Sequence, residues 1–229
     1  MSRVTIIDYG IGNLRSIEKA FQAVGADAVR TDDPDVIARA ERVVLPGVGA
    51  FGACAAEIRR RGLEAPVLDA AASGKPFLGV CVGMQLLFDG SEEMGFHRGL
   101  GLLPGRVVRF TSEPAVHAAA EPEAVSIGDA GLREPPTRTR PLKVPHMGWN
   151  TITPTRSAPL LEGIEPGAFF YFVHSYHALP ADASDVLAET GYGVVFPAVV
   201  HRNNVYGVQF HPEKSQRNGL RILKNFTEI

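Results

Sequence analysis

Cys81 stands between two glycines in the run Phe77-Leu78-Gly79-Val80-Cys81-Val82-Gly83-Met84-Gln85, where a short apolar stretch gives way to residues at helical spacing. A cysteine held this way is the sulfur counterpart of the Gly-x-Ser-x-Gly elbow, which lifts a nucleophile above the edge of a sheet. A helix N-terminus and a neighbouring imidazole both favour thiolate over thiol, and the thiolate is the nucleophile. A buried, inert cysteine is the alternative reading. The flanking glycines weigh against it, because a packing role does not need them.

A thiolate nucleophile needs a base, and the base needs a third group to fix its tautomer. His211-Pro212-Glu213 offers both. Pro212 disfavours the helical region for His211, which keeps it extended at the end of a strand, and Glu213 two positions on can bond the other ring nitrogen. Alone this motif is weak. Paired with Cys81 it matches a nucleophile and base far apart in sequence but adjacent in a fold. Acyl transfer also needs donors aimed at a developing oxyanion. The N–H of Val82 is one, and the turn Pro46-Gly47-Val48-Gly49 can supply another from the Val48-Gly49 peptide. Gln85, four residues after Cys81, falls on the same helical face, where its amide can meet a polar substrate. Gly10-Ile11-Gly12-Asn13 resembles a dinucleotide loop only superficially, since Arg15 occupies the place of the third glycine. It reads as a tight turn with Asn13 capping the following helix.

The elements that must position these groups alternate strand and helix. Strands are expected over 3–8, 42–45 and 76–80, with helices over 13–24, 52–61, 64–72 and 82–88. This is the pattern of a mostly parallel sheet with helices on both faces. The second half reads as strands over 106–110, 142–144, 168–173, 194–202 and 205–210, the last two joined by an Asn203-Asn204 turn. Ser215 is then expected to cap a final helix that buries Leu220, Ile222, Leu223 and Phe226. Residues 112–141 carry Pro114, Pro122, Pro135, Pro136 and Pro141 among alanines and charges and read as an exposed, mobile insertion in which His117 is solvated.

The 229 residues are expected to form one domain. A net charge of −2 gives no electrostatic ground for a nucleic acid or anionic membrane partner, and Arg59-Arg60-Arg61 reads as a solvated helix face. Two cysteines, Cys54 and Cys81, make no disulfide framework, and the N-terminus lacks a signal-peptide layout, so a reducing, cytoplasmic setting is expected. No apolar stretch approaches the roughly 20 residues that span a bilayer.

The Cys81 and His211-Pro212-Glu213 motifs, with Pro46-Gly47-Val48-Gly49 and Gln85, resemble those of the class I, triad-type glutamine amidotransferases. Three further segments narrow the resemblance: Asp8-Tyr9-Gly10-Ile11-Gly12-Asn13-Leu14, Pro145-His146-Met147-Gly148-Trp149-Asn150 and Tyr171-Phe172-Val173-His174-Ser175-Tyr176. Together they are similar to the glutaminase subunits of imidazole glycerol phosphate synthase, over nearly the whole chain except 112–141. The resemblance implies a three-layer α/β fold with a smaller antiparallel sheet region. It implies Cys81, His211 and Glu213 as the catalytic triad, with Val48, Gly49 and Val82 as the oxyanion hole. Gly49, Gln85, His174, Ser175 and Tyr176 would hold glutamine, with no cofactor and no metal; His146, His174 and His177 match no usual zinc spacing. It further implies a heterodimer with a (β/α)8-barrel cyclase that receives ammonia, contacted through Asn13, Trp149, Tyr171 and Lys214. Other triad amidotransferases, serving vitamin B6 or guanylate synthesis, a cysteine peptidase or hydrolase on a similar elbow, and an inactive scaffold subunit are the competing readings. The first lack the Pro145 to Asn150 segment, and the last conflicts with an intact Cys81, His211 and Glu213.

Overall fold

The structure, a computed structural model, describes residues 2–110 and 142–229, so the expected insertion at 112–141 lies outside the described residues. Buried residues 4–7, apolar but for Thr5, form β1 (Arg3–Ile7), and α1 (Leu14–Ala23) turns Ile17, Ala20 and Phe21 onto it. The Asn13 side chain makes no capping bond, contrary to expectation, because its amide is drawn to Glu213 instead. Next come β2 (Asp27–Thr31) and α2 (Pro34–Ala38), neither visible in the sequence pattern. β2 buries only Ala28, too little apolar periodicity to read, and α2 depends on Asp33 accepting from the Asp35 N–H at 2.8 Å. β3 (Val43–Gly47), α3 (Phe51–Arg60), α4 (Glu64–Ala72) and β4 (Phe77–Cys81) fall within a few residues of their expected places.

The helix after Cys81 is a single turn, α5 (Val82–Gln85), rather than one running to Phe88. Leu86, Leu87 and Phe88 are buried on every side, a pattern that suits helix and strand equally. Here the chain turns into β5 (Phe88–Ser91), which with β6 (His97–Arg98) and β7 (Leu103–Arg109) starts a second sheet. After the undescribed segment, residues 142–144 are not the strand expected there, and β8 (His146–Pro154) begins only after Pro145. The remaining strands are β9 (Ala168–His174), β10 (Tyr176–Pro180), β11 (Val186–Tyr192), β12 (Val194–Arg202) and β13 (Val205–Val208). Asn203, at φ 55°, makes the hairpin between the last two. Helix α6 (Gln216–Glu228) closes the chain and packs Phe226 against Phe21 of α1 with ring centroids 6.2 Å apart.

The nine-stranded sheet has the order β2-β1-β3-β4-β13-β12-β11-β8-β9 and the smaller one β10-β7-β5-β6. Pairing is parallel from β2 through β13 and antiparallel from β13 to β9, so one continuous mixed sheet spans both halves. The small sheet is also mixed, since β5 and β7 run parallel. In-register pairing of Gly47 with Cys81, and of Val208 with Val80, brings the carboxyl ends of β3, β4 and β13 to one edge. That edge of an open α/β sheet is where such folds bind ligands.

Candidate active site

Cys81 ends β4 with φ 56° and ψ −113°, a backbone conformation that costs energy for any residue with a Cβ. The surroundings enforce it. A Cβ on Gly79 would lie 2.7 Å from the Gly83 carbonyl oxygen, and one on Gly83 would collide with the Leu45 carbonyl. The glycines on either side of Cys81 are therefore required by close backbone contact, and the turn they permit lifts the thiol to the rim of the sheet.

His211 follows β13 in extended geometry, φ −95° and ψ 99°, as the next residue being proline demands. Its Nδ1 lies 2.9 Å from Glu213 Oε1, and the two side chains are almost wholly buried. Asn13 Nδ2 donates to the same Glu213 oxygen at 3.1 Å. Burial works against a charged imidazole, but hydrogen bonds and attraction from Cys81 and Glu213 outweigh it and hold His211 well above the ordinary histidine range. Burial likewise raises Glu213, and the bond and charge of His211 more than compensate, so its carboxyl stays below the usual range. A buried, ionised carboxylate thus faces an imidazole biased toward its charged form. The backbone around His211 is pinned from Ser215, whose hydroxyl donates to the His211 carbonyl at 2.7 Å and accepts the Tyr171 N–H at 2.9 Å. Ser215 was expected to cap α6; these two bonds occupy its hydroxyl, and it makes no capping bond.

Cys81, His211, Val48, Gly49, Val82, Gln85, His174, Ser175, Tyr176 and Lys214 line one cavity of about 390 Å³. Every residue expected to form the oxyanion hole or to hold substrate therefore opens onto the same space. Gln85 is oriented by donating from Nε2 to the Tyr176 carbonyl at 2.9 Å and to Gln209 Oε1 at 3.0 Å. Its donors are spent, so the group it has left to offer is its own carbonyl oxygen, an acceptor. Four contributors escaped the sequence reading. Gln209 places Nε2 3.9 Å from Cys81 Sγ, and its position two before His211 on a strand end was the available signal. Glu93 lines the cavity and accepts the Phe51 N–H at 2.6 Å, from a loop between β5 and β6 with no motif to mark it. Tyr9 donates to the Pro46 carbonyl at 2.8 Å and anchors the Pro46 to Gly49 turn from behind, while the Cys54 thiol donates to the Val48 carbonyl at 3.3 Å.

Trp149, Tyr171 and Lys214 form a cluster that adjoins the cavity through Lys214. The Trp149 and Tyr171 rings meet edge to face at 6.0 Å, and Lys214 Nζ lies 5.7 Å from the centre of the Tyr171 ring. Trp149 is 46% exposed, and neighbouring Met147 and Phe169 are 62% and 55% exposed. Asn13 is not with them; it sits against Glu213. Arg59, Arg60 and Arg61 form ion pairs with Glu64 and Glu57 at the surface, as a solvated helix face would.

Residues 5–229 match the model of the class-I glutamine amidotransferase family. The chain is 58% identical over 225 residues to the imidazole glycerol phosphate synthase subunit HisH of Salinibacter ruber, covering 98% of this chain and 94% of that one. The chain belongs to the HisH family of class-I glutamine amidotransferases. The subunit HisH of Syntrophotalea carbinolica is 49% identical, with 99% of this chain and all of that one aligned. Among solved structures, PurLQS from Thermotoga maritima superposes with a TM-score of 0.69 at 18% identity, covering 99% of this chain and 97% of that one. A structure described only as a glutamine amidotransferase gives 0.68 at 17%, with 99% of each chain covered. The HisH family's fold is thus shared far beyond its sequence range, while the segments around Trp149 and Tyr171 lie within the span aligned to its subunits. No helix among the described residues is long and apolar enough to cross a membrane.

Proposed function

We propose that residues 1–229 act as one glutaminase domain in the cytoplasm, releasing ammonia from glutamine and passing it to a (β/α)8-barrel cyclase partner in histidine biosynthesis. The observation that carries this reading is Cys81 on its strained turn, opening onto the cavity that His211, bonded from behind by Glu213, also reaches. The Cys81 sulfur attacks the side-chain amide carbon of glutamine, and the Val82 N–H and the Val48-Gly49 peptide receive the oxyanion. The His211 imidazolium, stabilised by Glu213, gives its proton to the leaving ammonia and then takes one from the water that hydrolyses the γ-glutamyl thioester to glutamate. The Gln85 carbonyl oxygen and the Glu93 carboxylate suit the α-ammonium of an amino acid, and His174, Ser175 and Tyr176 complete the substrate wall.

Ammonia set free in bulk water would be protonated and lost as a nucleophile, which favours direct transfer within a heterodimer. The exposed apolar cluster of Met147, Trp149 and Phe169, with Tyr171 and Lys214, supports a docking surface beside the cavity. The test is glutamate and ammonia release with and without the cognate barrel protein. Cys81→Ala is expected to abolish both; activity surviving in this variant refutes the mechanism. Activity indifferent to the barrel protein refutes the subunit assignment.

A further inference from the structure

Three buried histidines, His174 in the substrate wall and His146 and His177 packed near it, take no part in the proposed bond-making and proton-transfer steps. His174 Nδ1 is 2.8 Å from the Tyr176 carbonyl oxygen, and His174 Nε2 is 3.0 Å from His146 Nδ1. His146 Nε2 is 3.3 Å from Asn150 Nδ2. The Asn150 amide is fixed in turn, since Oδ1 accepts the Thr151 N–H at 2.8 Å and Nδ2 donates to the Gly191 carbonyl at 2.9 Å. The rings are packed among aromatics, with His146 stacked on Tyr192 at 4.1 Å and Phe172 at 4.9 Å, and Phe110 closing over His174 and His177.

These contacts leave one arrangement of protons. A carbonyl oxygen only accepts, so His174 must carry its hydrogen on Nδ1 and present a bare Nε2. The hydrogen between the two rings then belongs to His146 Nδ1, and the bare His146 Nε2 accepts from Asn150. Burial holds both rings far below the ordinary histidine range, His146 at about 4 and His174 at about 3, so each is neutral and carries a single hydrogen. The Tyr176 carbonyl at the end of this chain is the same oxygen to which Gln85 donates.

We infer that His146 and His174 are positioning residues, a one-directional relay from Asn150 that holds the Tyr176 carbonyl in place and, through it, aims the Gln85 carbonyl oxygen into the glutamine pocket. The relay acts on substrate recognition and not on the reacting atoms, and it rests on the glutaminase reading above. A buried histidine of no functional consequence would have no fixed effect on KM; the relay does. Removing the donor with His146→Leu is expected to raise KM for glutamine about tenfold with kcat within about twofold, the scale of one buried hydrogen bond. His146→Asn places an amide N–H where Nδ1–H was and is expected to return KM to within about threefold of wild type.

Nitrogen-15 spectra of the histidine rings in the full wild-type chain provide a readout that does not depend on activity. Both His146 and His174 are expected as Nδ1–H tautomers at neutral pH, whereas free imidazole side chains favour Nε2–H. An Nε2–H tautomer or an imidazolium at either ring overturns the relay, as does an unchanged KM in a folded His146→Leu protein. If wild type with its barrel partner releases no glutamate, the glutaminase reading fails, and the ring tautomers still decide the relay.

Discussion

Replacing Glu213 with glutamine removes a charge while keeping almost every contact. Glu213 Oε1 accepts from His211 Nδ1 at 2.9 Å and from Asn13 Nδ2 at 3.1 Å, whereas Oε2 has no hydrogen-bond partner among the described residues. Both neighbours of Oε1 are donors, so the amide oxygen of glutamine takes that place and its NH₂ takes the other. His211 therefore keeps its orientation and loses its counter-ion. Two unit charges about 4 Å apart attract by about 4 kcal/mol at an effective dielectric near 20. The surviving neutral hydrogen bond returns about 1 kcal/mol, leaving a net loss of about 3 kcal/mol in support for the imidazolium. That corresponds to a fall in kcat of about 100-fold, with KM little changed because Glu213 does not line the substrate cavity. The assay is steady-state glutamate release in the presence of the barrel partner, with thermal unfolding as a folding control. A folded Glu213→Gln protein with kcat within about threefold of wild type would refute the charge-stabilised triad.

Acid sensitivity follows from the buried histidines. The folded pKa values of His146, about 4, and His174, about 3, lie below the ordinary value of about 6.5 that the unfolded chain regains. The unfolded state therefore binds more protons below that value, so stability is complete above about pH 6.5 and is lost as pH falls toward the folded values, by up to about 1.4 kcal/mol per pH unit for each ring. Urea midpoints that stay constant down to about pH 4.5 would contradict this. Gly83→Ala drives a Cβ into the Leu45 carbonyl, a backbone atom that cannot yield, and is expected to cost about 3 kcal/mol or more by chemical denaturation; a wild-type midpoint would count against the elbow's close packing. Asp185 is buried and takes two bonds of 2.8 Å from Arg202, tying β12 to the turn before β11. Arg202→Leu strands that carboxylate and is expected to lower the urea midpoint with kcat unaffected, since the pair is absent from the cavity lining; an unchanged midpoint would count against the tie.

Much of the β-α alternation was legible because it depends on local apolar periodicity, as in β1, α1, β3 and α6. Elements with little periodicity of their own were not. β2 buries one alanine and sits at the sheet edge, and β10 and β11 acquire their strand character from partners in β7 and β12. Leu86-Leu87-Phe88 is apolar throughout, so only the presence of a second sheet to receive it decides strand over helix.

The sequence alone determined the turn at Cys81 and the extended His211, because glycine and proline act through steric limits on the nearest few bonds. It also determined that His211 and Glu213 could meet, since they are two residues apart. Tertiary structure decided which polar groups share an oxygen. Asn13 reads as a helix cap yet bonds Glu213, and Ser215 reads as another yet joins His211 to Tyr171. Gln85 reads as a free amide yet spends its donors on Tyr176 and Gln209. The physical reason is that a side-chain donor takes whichever acceptor the packed chain brings within about 3 Å, and for these residues that acceptor belongs to an element formed elsewhere in the chain.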